Sequence, residues 1–205
     1  MSLSPVIGLT GPTGAGKSEA ARVLRAMGGV IVDADEAARC AVMSADCLAA
    51  LQSAFGTDIC ADGTLNRHEL ARRAFADPAH TRLLNAITHP YILSQMRAQV
   101  QAAQAAGAPF VVLDAPLLFE GGLSGDCNAI FVVLADPELR VRRICARDGI
   151  SESDARQRMA AQHPDDYYTA SASAVFHNNG DLAALEKAIR TAVAGIRQEW
   201  NRFVR

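Results

Sequence analysis

The segment Gly8-Leu-Thr-Gly-Pro-Thr-Gly-Ala-Gly-Lys17-Ser18 constrains this chain more than any other. It joins a run of apolar, partly β-branched residues, 6–10, to a stretch of helical periodicity, 18–27, that stops at Gly28-Gly29. A chain written in this order turns sharply from a buried strand into a helix, and glycine supplies the φ values such a turn needs. Four more short runs of the same kind follow at 30–33, 110–114, 130–134 and 174–176. Their apolar character is continuous rather than alternating, which is the pattern of strands covered on both faces. Helices are predicted between and after them, over 18–27, 90–106, 137–147 and 181–203, with glycine past the end of the first three. The expected fold is therefore α/β, a parallel five-stranded sheet flanked by helices.

The spacing of the strands is uneven. Residues 34–109 carry little strand character but contain good helix starts at Asn66-Arg-His-Glu69 and Asp77-Pro78. This reads as a helical insertion on an α/β core. Further on, Arg140, Arg142, Arg143 and Arg147 lie on one predicted helix, and Ser151 is placed to cap a second that carries Arg156 and Arg158. Two arginine-bearing helices joined at a glycine suit a mobile lid, although solvated arginines on ordinary amphipathic helices would look the same. We expect one domain, with a core over about 1–35, 108–137 and 164–205, an insertion over about 36–107 and a lid over about 138–163.

Gly11 to Ser18 fits G-x-x-x-x-G-K-[ST] in the strand-turn-helix setting that gives the pattern meaning. The chain has two lysines in all, and its own composition makes an accidental match roughly a one-in-a-thousand event. In a P-loop of this type the glycines let backbone N–H groups and the positive end of a helix surround a phosphate. Lys17 then reaches the β and γ phosphates, and the Ser18 hydroxyl ligates Mg²⁺. The expected nucleotide-binding set is Gly11, Thr13, Gly14, Ala15, Gly16, Lys17, Ser18 and Glu19, with ATP and Mg²⁺ as its ligands.

Composition removes several alternatives. A formal charge of -2 lacks the cationic footprint that duplex nucleic acid requires. No run reaches the eighteen or so apolar residues of a membrane span, and no basic leader precedes a long apolar stretch. Five cysteines, an odd number without a C-x-x-C pair, read as reduced thiols. We expect a cytoplasmic protein without nucleic-acid or membrane partners, as a monomer or weak homo-oligomer. A guanine-reading N-K-x-D loop is impossible, because the second lysine, Lys187, lies between Glu186 and Ala188.

Two acids close the second predicted strand, Asp33 and Asp35. In extended backbone they point to the same side, at the sheet edge where α/β proteins bind ligands. A carboxylate there can take the proton of an attacking hydroxyl or help hold Mg²⁺; either residue also suits the N-cap of a helix after Ala34. Asp114 ends the third strand and is a second candidate for the metal shell. Small-molecule kinases acting on nucleoside monophosphates, shikimate or gluconate share these parts, as does a regulatory nucleotide-binding module.

The combination of GLTGPTGAGKS, VDADEAAR (32–39), FGTDICADGTLNRHEL (55–70), NAITHPYI (85–92), DAPLLFEGGL (114–123), ARDGIS (146–151), RMAAQ (158–162) and FHNNG (176–180) resembles the dephospho-coenzyme A kinase family from end to end. The resemblance implies transfer of the γ-phosphoryl group of ATP to the 3'-hydroxyl of dephospho-CoA. It implies a P-loop NTPase-type core with a helical substrate-binding insertion and a helical lid. By position it makes Asp35 the base with Asp33 in support, Lys17 and Arg147 catalytic, and Asn179 and Gly180 part of the adenine-side loop. Arg39 and His89 fall on the acceptor side, and Pro116, Leu117, Leu118 and Glu120 form the wall near the acceptor. The chain departs from the family pattern over 163–173, where arginines are replaced by acids and tyrosines.

Overall fold

The computed structural model describes residues 4–61 and 64–203. The chain divides into two compact units, one made of the residues up to Val32 and from Val100 onward, the other of Asp33–Gln99. The elements run β1 (Val6–Thr10), α1 (Lys17–Ala26), β2 (Val30–Asp33), α2 (Ala34–Ala41), α3 (Ala45–Phe55), β3 (Cys60–Ala61), β4 (Thr64–Leu65), α4 (Arg67–Ala74) and α5 (Pro78–Ala105). They continue with β5 (Val111–Asp114), β6 (Ala129–Leu134), α6 (Pro137–Asp148), α7 (Glu152–Ala160), α8 (Asp165–Thr169), β7 (Ala174–His177) and α9 (Leu182–Phe203).

Five strands form one sheet in the order β2-β5-β1-β6-β7. Parallel registers pair Val6 with Val111, Ile7 with Ala129 and Phe131 with Ala174. β1, β5 and β6 are buried along their whole length, while the edge strands β2 and β7 are only partly covered. This is the reason the three central strands are the most uniformly apolar in sequence. Ile7, Leu9, Phe131 and Val133 pack under Ala20 and Leu24 of α1 and under Leu185, Ile189 and Val193 of α9. The last three recur every four residues and so make a single apolar stripe. Burying one such side chain contributes roughly 1.5–3 kcal/mol. The α6 and α7 pair closes over its own small cluster of Val141, Ile144 and Ala155.

The second unit has a separate core, formed by Cys47, Leu51, Phe55, Ile59, Leu65, Leu70 and Ala74. Asn66 caps α4 by accepting from Glu69 N at 3.1 Å, and Asp77 caps α5 by accepting from the amides of Ala79 and His80 at 2.8 and 2.9 Å. Both starts agree with the sequence. The helix expected to begin at Pro90 begins instead at Pro78 and runs through Pro90 without a break. A proline inside a helix removes one backbone hydrogen bond and costs about 3 kcal/mol. Leu84, Ile87 and Tyr91, on either side of it, pack against the unit's core, and that burial offsets the cost.

Candidate active site

β1 ends at Thr10 and α1 begins at Lys17, and the turn between them is shaped by glycines that have no substitute. Gly11 has φ 147°, and a Cβ there would lie 2.2 Å from the carbonyl oxygen of Val133 on the neighbouring strand. Gly16 stands at the N-cap of α1 in the left-handed region with φ 93°, and no side chain among the described residues caps the helix. The amides of the first turn and the positive helix end are thus left for an anion.

The outer side of the turn is gripped by side chains. Arg140, buried at 6% exposure, donates from Nε to Thr13 O at 2.9 Å. Arg143 donates to Gly14 O and Ala15 O, both at 3.3 Å, and to Asn178 O at 3.0 Å. Asn178, also buried, donates to Ala15 O at 3.0 Å. Gln162 Oε1 accepts from Thr13 N at 2.9 Å. Because a trans peptide points its C=O and N–H in opposite directions, carbonyls 13 and 15 held outward turn the amides of Gly14 and Gly16 the other way. Burial lowers the Arg140 pKa from its ordinary value, and Asp165 counters this.

Lys17 Nζ pairs with Asp114 Oδ1 at the end of β5, and Thr10 Oγ1 donates to Pro116 O at 3.2 Å. Lysine and the β5 carboxylate thus meet at one corner of the sheet, and Ser18, the next residue of α1, is exposed. Glu19 turns away from it: its carboxylate takes Arg22 Nε at 2.9 Å and its amide bonds Gly16 O at 3.0 Å. Asn179 is likewise turned to Asp136, accepting from its amide at 2.9 Å and donating to its carboxylate at 2.8 Å. Its neighbour Asn178 is the one that reaches the cradle.

Arg140, Arg143 and Arg147 lie on one stripe of α6, but Arg147 stands about 10 Å beyond Arg140 along the axis. It pairs with Asp148 at 2.7 Å. Arg158 also holds Asp148, and the guanidiniums keep that carboxyl down at about 2. Arg140 and Arg143 were not singled out from their neighbours in the sequence. No local signal separates them, because the backbone oxygens they hold lie far away along the chain.

Asp33 and Asp35 do not share one side of a strand. β2 ends at Asp33, whose Oδ1 accepts from Asp35 N at 2.8 Å and Glu36 N at 3.0 Å, while Asp35 occupies the first turn of α2 with its side chain exposed. The capping preference of aspartate outweighs continuation of the strand. Arg39 follows one turn later. His89, midway along α5, lines an open cavity of about 550 Å³ with Asn85, Ala86, Leu93 and Arg97.

The expected wall at 116–120 needs correction at Leu118. Leu118 is fully buried behind β1, against Gly8, and Leu117 is exposed. Only one of two adjacent side chains can face outward here, and the space left by Gly8 takes the other. Glu120 Oε1 lies 3.3 Å from His163 Nε2, and His163 stacks on Tyr167 with ring centroids 3.9 Å apart. Burial, then the Glu120 charge, raises the Tyr167 pKa.

The model of the dephospho-CoA kinase family matches residues 5–184. A dephospho-CoA kinase of Corynebacterium glutamicum is 44% identical over 192 residues, covering 93% of this chain and 96% of its own. One from Deinococcus radiodurans is 44% identical over 187 residues, covering 91% and 90%. The crystal structure of TT1252 from Thermus thermophilus superposes with a TM-score of 0.78 at 35% identity, covering 94% of this chain and 98% of that one. The chain belongs to the dephospho-CoA kinase family.

Proposed function

We propose that this chain transfers the γ-phosphoryl group of ATP to the 3'-hydroxyl of dephospho-CoA, giving CoA and ADP, the last step of CoA biosynthesis. The observation that carries the reading is the glycine cradle with Lys17 and Asp114 at its mouth, in a chain whose relatives bear that activity in their name.

In this reading the amides of 14 and 16–18, with Lys17, hold the β and γ phosphates. Asp35 accepts the proton of the 3'-hydroxyl as its oxygen bonds to the γ phosphorus, and the β,γ-bridging oxygen leaves with its electron pair. Asp33 supports this by fixing the backbone of Asp35. Arg147 meets the transferred group on leaving Asp148, which keeps Arg158 as its partner. Arg39 and His89 serve the acceptor, Glu120 the wall beside it, and Asn179-Gly180 the adenine side. α6 and α7 act as a lid.

The donor set fits Mg²⁺. Among the described residues no group of three or more His, Cys, Asp or Glu side chains is placed to hold a metal ion. Mg²⁺ asks for less, since it commonly takes one or two hard protein oxygens and completes its shell with phosphates and water. Ser18 and Asp114 supply such oxygens. Bound there, the ion would neutralise charge on the phosphates. Among the described residues no helix is long and apolar enough to cross a membrane, and we place the enzyme in the cytoplasm, acting on small molecules.

The test is an acceptor screen with purified protein, ATP and Mg²⁺. Dephospho-CoA should be phosphorylated well above AMP, CMP, shikimate or gluconate; equal or greater turnover of any of those would overturn the assignment.

A further inference from the structure

Two consecutive side chains just past α7 touch two different parts of the site. Gln162 Oε1 accepts from Thr13 N at 2.9 Å, on the phosphate cradle. His163, the next residue, places Nε2 3.3 Å from Glu120 Oε1, on the segment that follows β5. The first contact is on the donor side, and the second is on the wall given above to the acceptor.

The link between them is stiff. His163 precedes Pro164 and is therefore held to extended backbone, and Pro164, with φ -67°, is the N-cap of α8. A displacement of Gln162 is passed on to His163 rather than absorbed between the two. The far end is anchored by aromatic rings. His163 stacks on Tyr167 with the ring planes 21° apart, and Tyr167 meets Phe119, the neighbour of Glu120, edge-on at 5.6 Å between centroids. Tyr167 also packs edge-on against Tyr168, which is buried.

At the near end Thr13 is held from both sides, its carbonyl by Arg140 and its amide by Gln162. Arg140 itself lies 3.5 Å from Gln162 Oε1 and 3.6 Å from Asp165 Oδ1, so α6, the cradle and the start of α8 are tied at one point. An anion bound by the cradle amides favours this gripped form of the turn. The gripped turn fixes Gln162, and Gln162 in turn fixes His163 against Glu120.

We infer that Gln162 and His163 couple the two substrate sites, so that nucleotide in the cradle steadies the Glu120 wall and tightens binding of the acceptor. Both are positioning residues, Gln162 acting through Thr13 and His163 through Glu120. The inference deepens the proposed function and rests on it. A ligand shifts an equilibrium only by its preference for one of two forms. Here both ligands prefer the gripped form, so each should tighten the other by the same factor.

The experiment is calorimetric titration of the full chain with dephospho-CoA, in the presence and absence of saturating β,γ-imido-ATP with Mg²⁺, a pair that binds without turnover. In the wild type the nucleotide should lower the Kd for dephospho-CoA about fivefold or more. In Gln162→Ala and in His163→Ala that ratio should fall to about one. His163 has half of its side chain in water, so its replacement leaves the core intact. A wild-type ratio of about one overturns the coupling. So does a His163→Ala protein that binds dephospho-CoA more weakly by the same factor with and without nucleotide, which is the behaviour of a mere buttress. Either result leaves the proposed function standing if the wild type phosphorylates dephospho-CoA. A wild-type protein inert toward dephospho-CoA would instead remove that function, and this inference with it.

Discussion

Lys17, the first residue of α1, is paired with Asp114, the last residue of β5. Their side chains are 22% and 10% exposed, so the pair is largely withdrawn from water. Partial burial of an ammonium is tolerated because the carboxylate accompanies it. In the proposed reaction an arriving triphosphate would give the ammonium a second set of anionic oxygens, with Asp114 as its partner beforehand.

Lys17→Ala should therefore do two things. It should lower kcat/KM by about 10² or more through lost phosphate stabilisation. It should also destabilise the fold by about 1–3 kcal/mol, because a largely buried ion pair with Asp114 is lost. Steady-state kinetics and urea unfolding read the two separately, and an unchanged rate would contradict the role of the cradle.

In the first turn of α2, Asp35→Asn should lower kcat by about 10² while leaving the KM for ATP within twofold. Asp33 caps α2, so Asp33→Ala should cost about 1 kcal/mol of stability from the lost N-cap and, if the cap positions Asp35 as proposed, should lower kcat. Asp33→Asn, which still accepts the two amides, should restore most of both. Failure of asparagine to rescue would mean that the Asp33 charge itself is needed.

The α6 arginines should separate by kinetic parameter. Arg143→Ala releases the carbonyls of Gly14 and Ala15 and should raise the KM for ATP about tenfold, with a smaller change in kcat. Arg147→Ala should lower kcat and leave that KM nearly unchanged. The reverse pattern would exchange their roles.

Legibility of the site followed the distance over which each part is encoded. The cradle was readable because strand, glycine turn, lysine and helix are contiguous, and the helix starts at Asn66 and Asp77 were readable because capping is local. The grip of Arg140, Arg143, Gln162 and Asn178 on the turn is assembled from far along the chain, and no local pattern marks it. Pro90 misled because its local cost is real but is outweighed by packing on both sides. Leu117 and Leu118 are alike in sequence, and only the gap at Gly8 decides which one is buried.

Cys127 offers a test of burial near β1. Burial first, then Asp126, pushes its thiol up to about 12. Its folded value lies above the unfolded value of about 8.5, so its contribution to stability is complete below about pH 8.5 and is lost as pH rises toward 12. At pH 8 iodoacetamide should label exposed Cys40 quickly and Cys127 only on unfolding. Rapid labelling of Cys127 in folded protein would contradict the packing.

The most direct measurement follows the phosphoryl group itself. Protein, Mg²⁺ and ATP labelled at the γ position are incubated with dephospho-CoA, and the product is examined by ³¹P NMR and by periodate, which cleaves a ribose only while its 2',3'-diol is intact. The label should appear as a 3'-phosphate on a periodate-resistant product, in equal amount to ADP. Label released as inorganic phosphate, or a labelled product whose diol is still cleaved, would contradict the account.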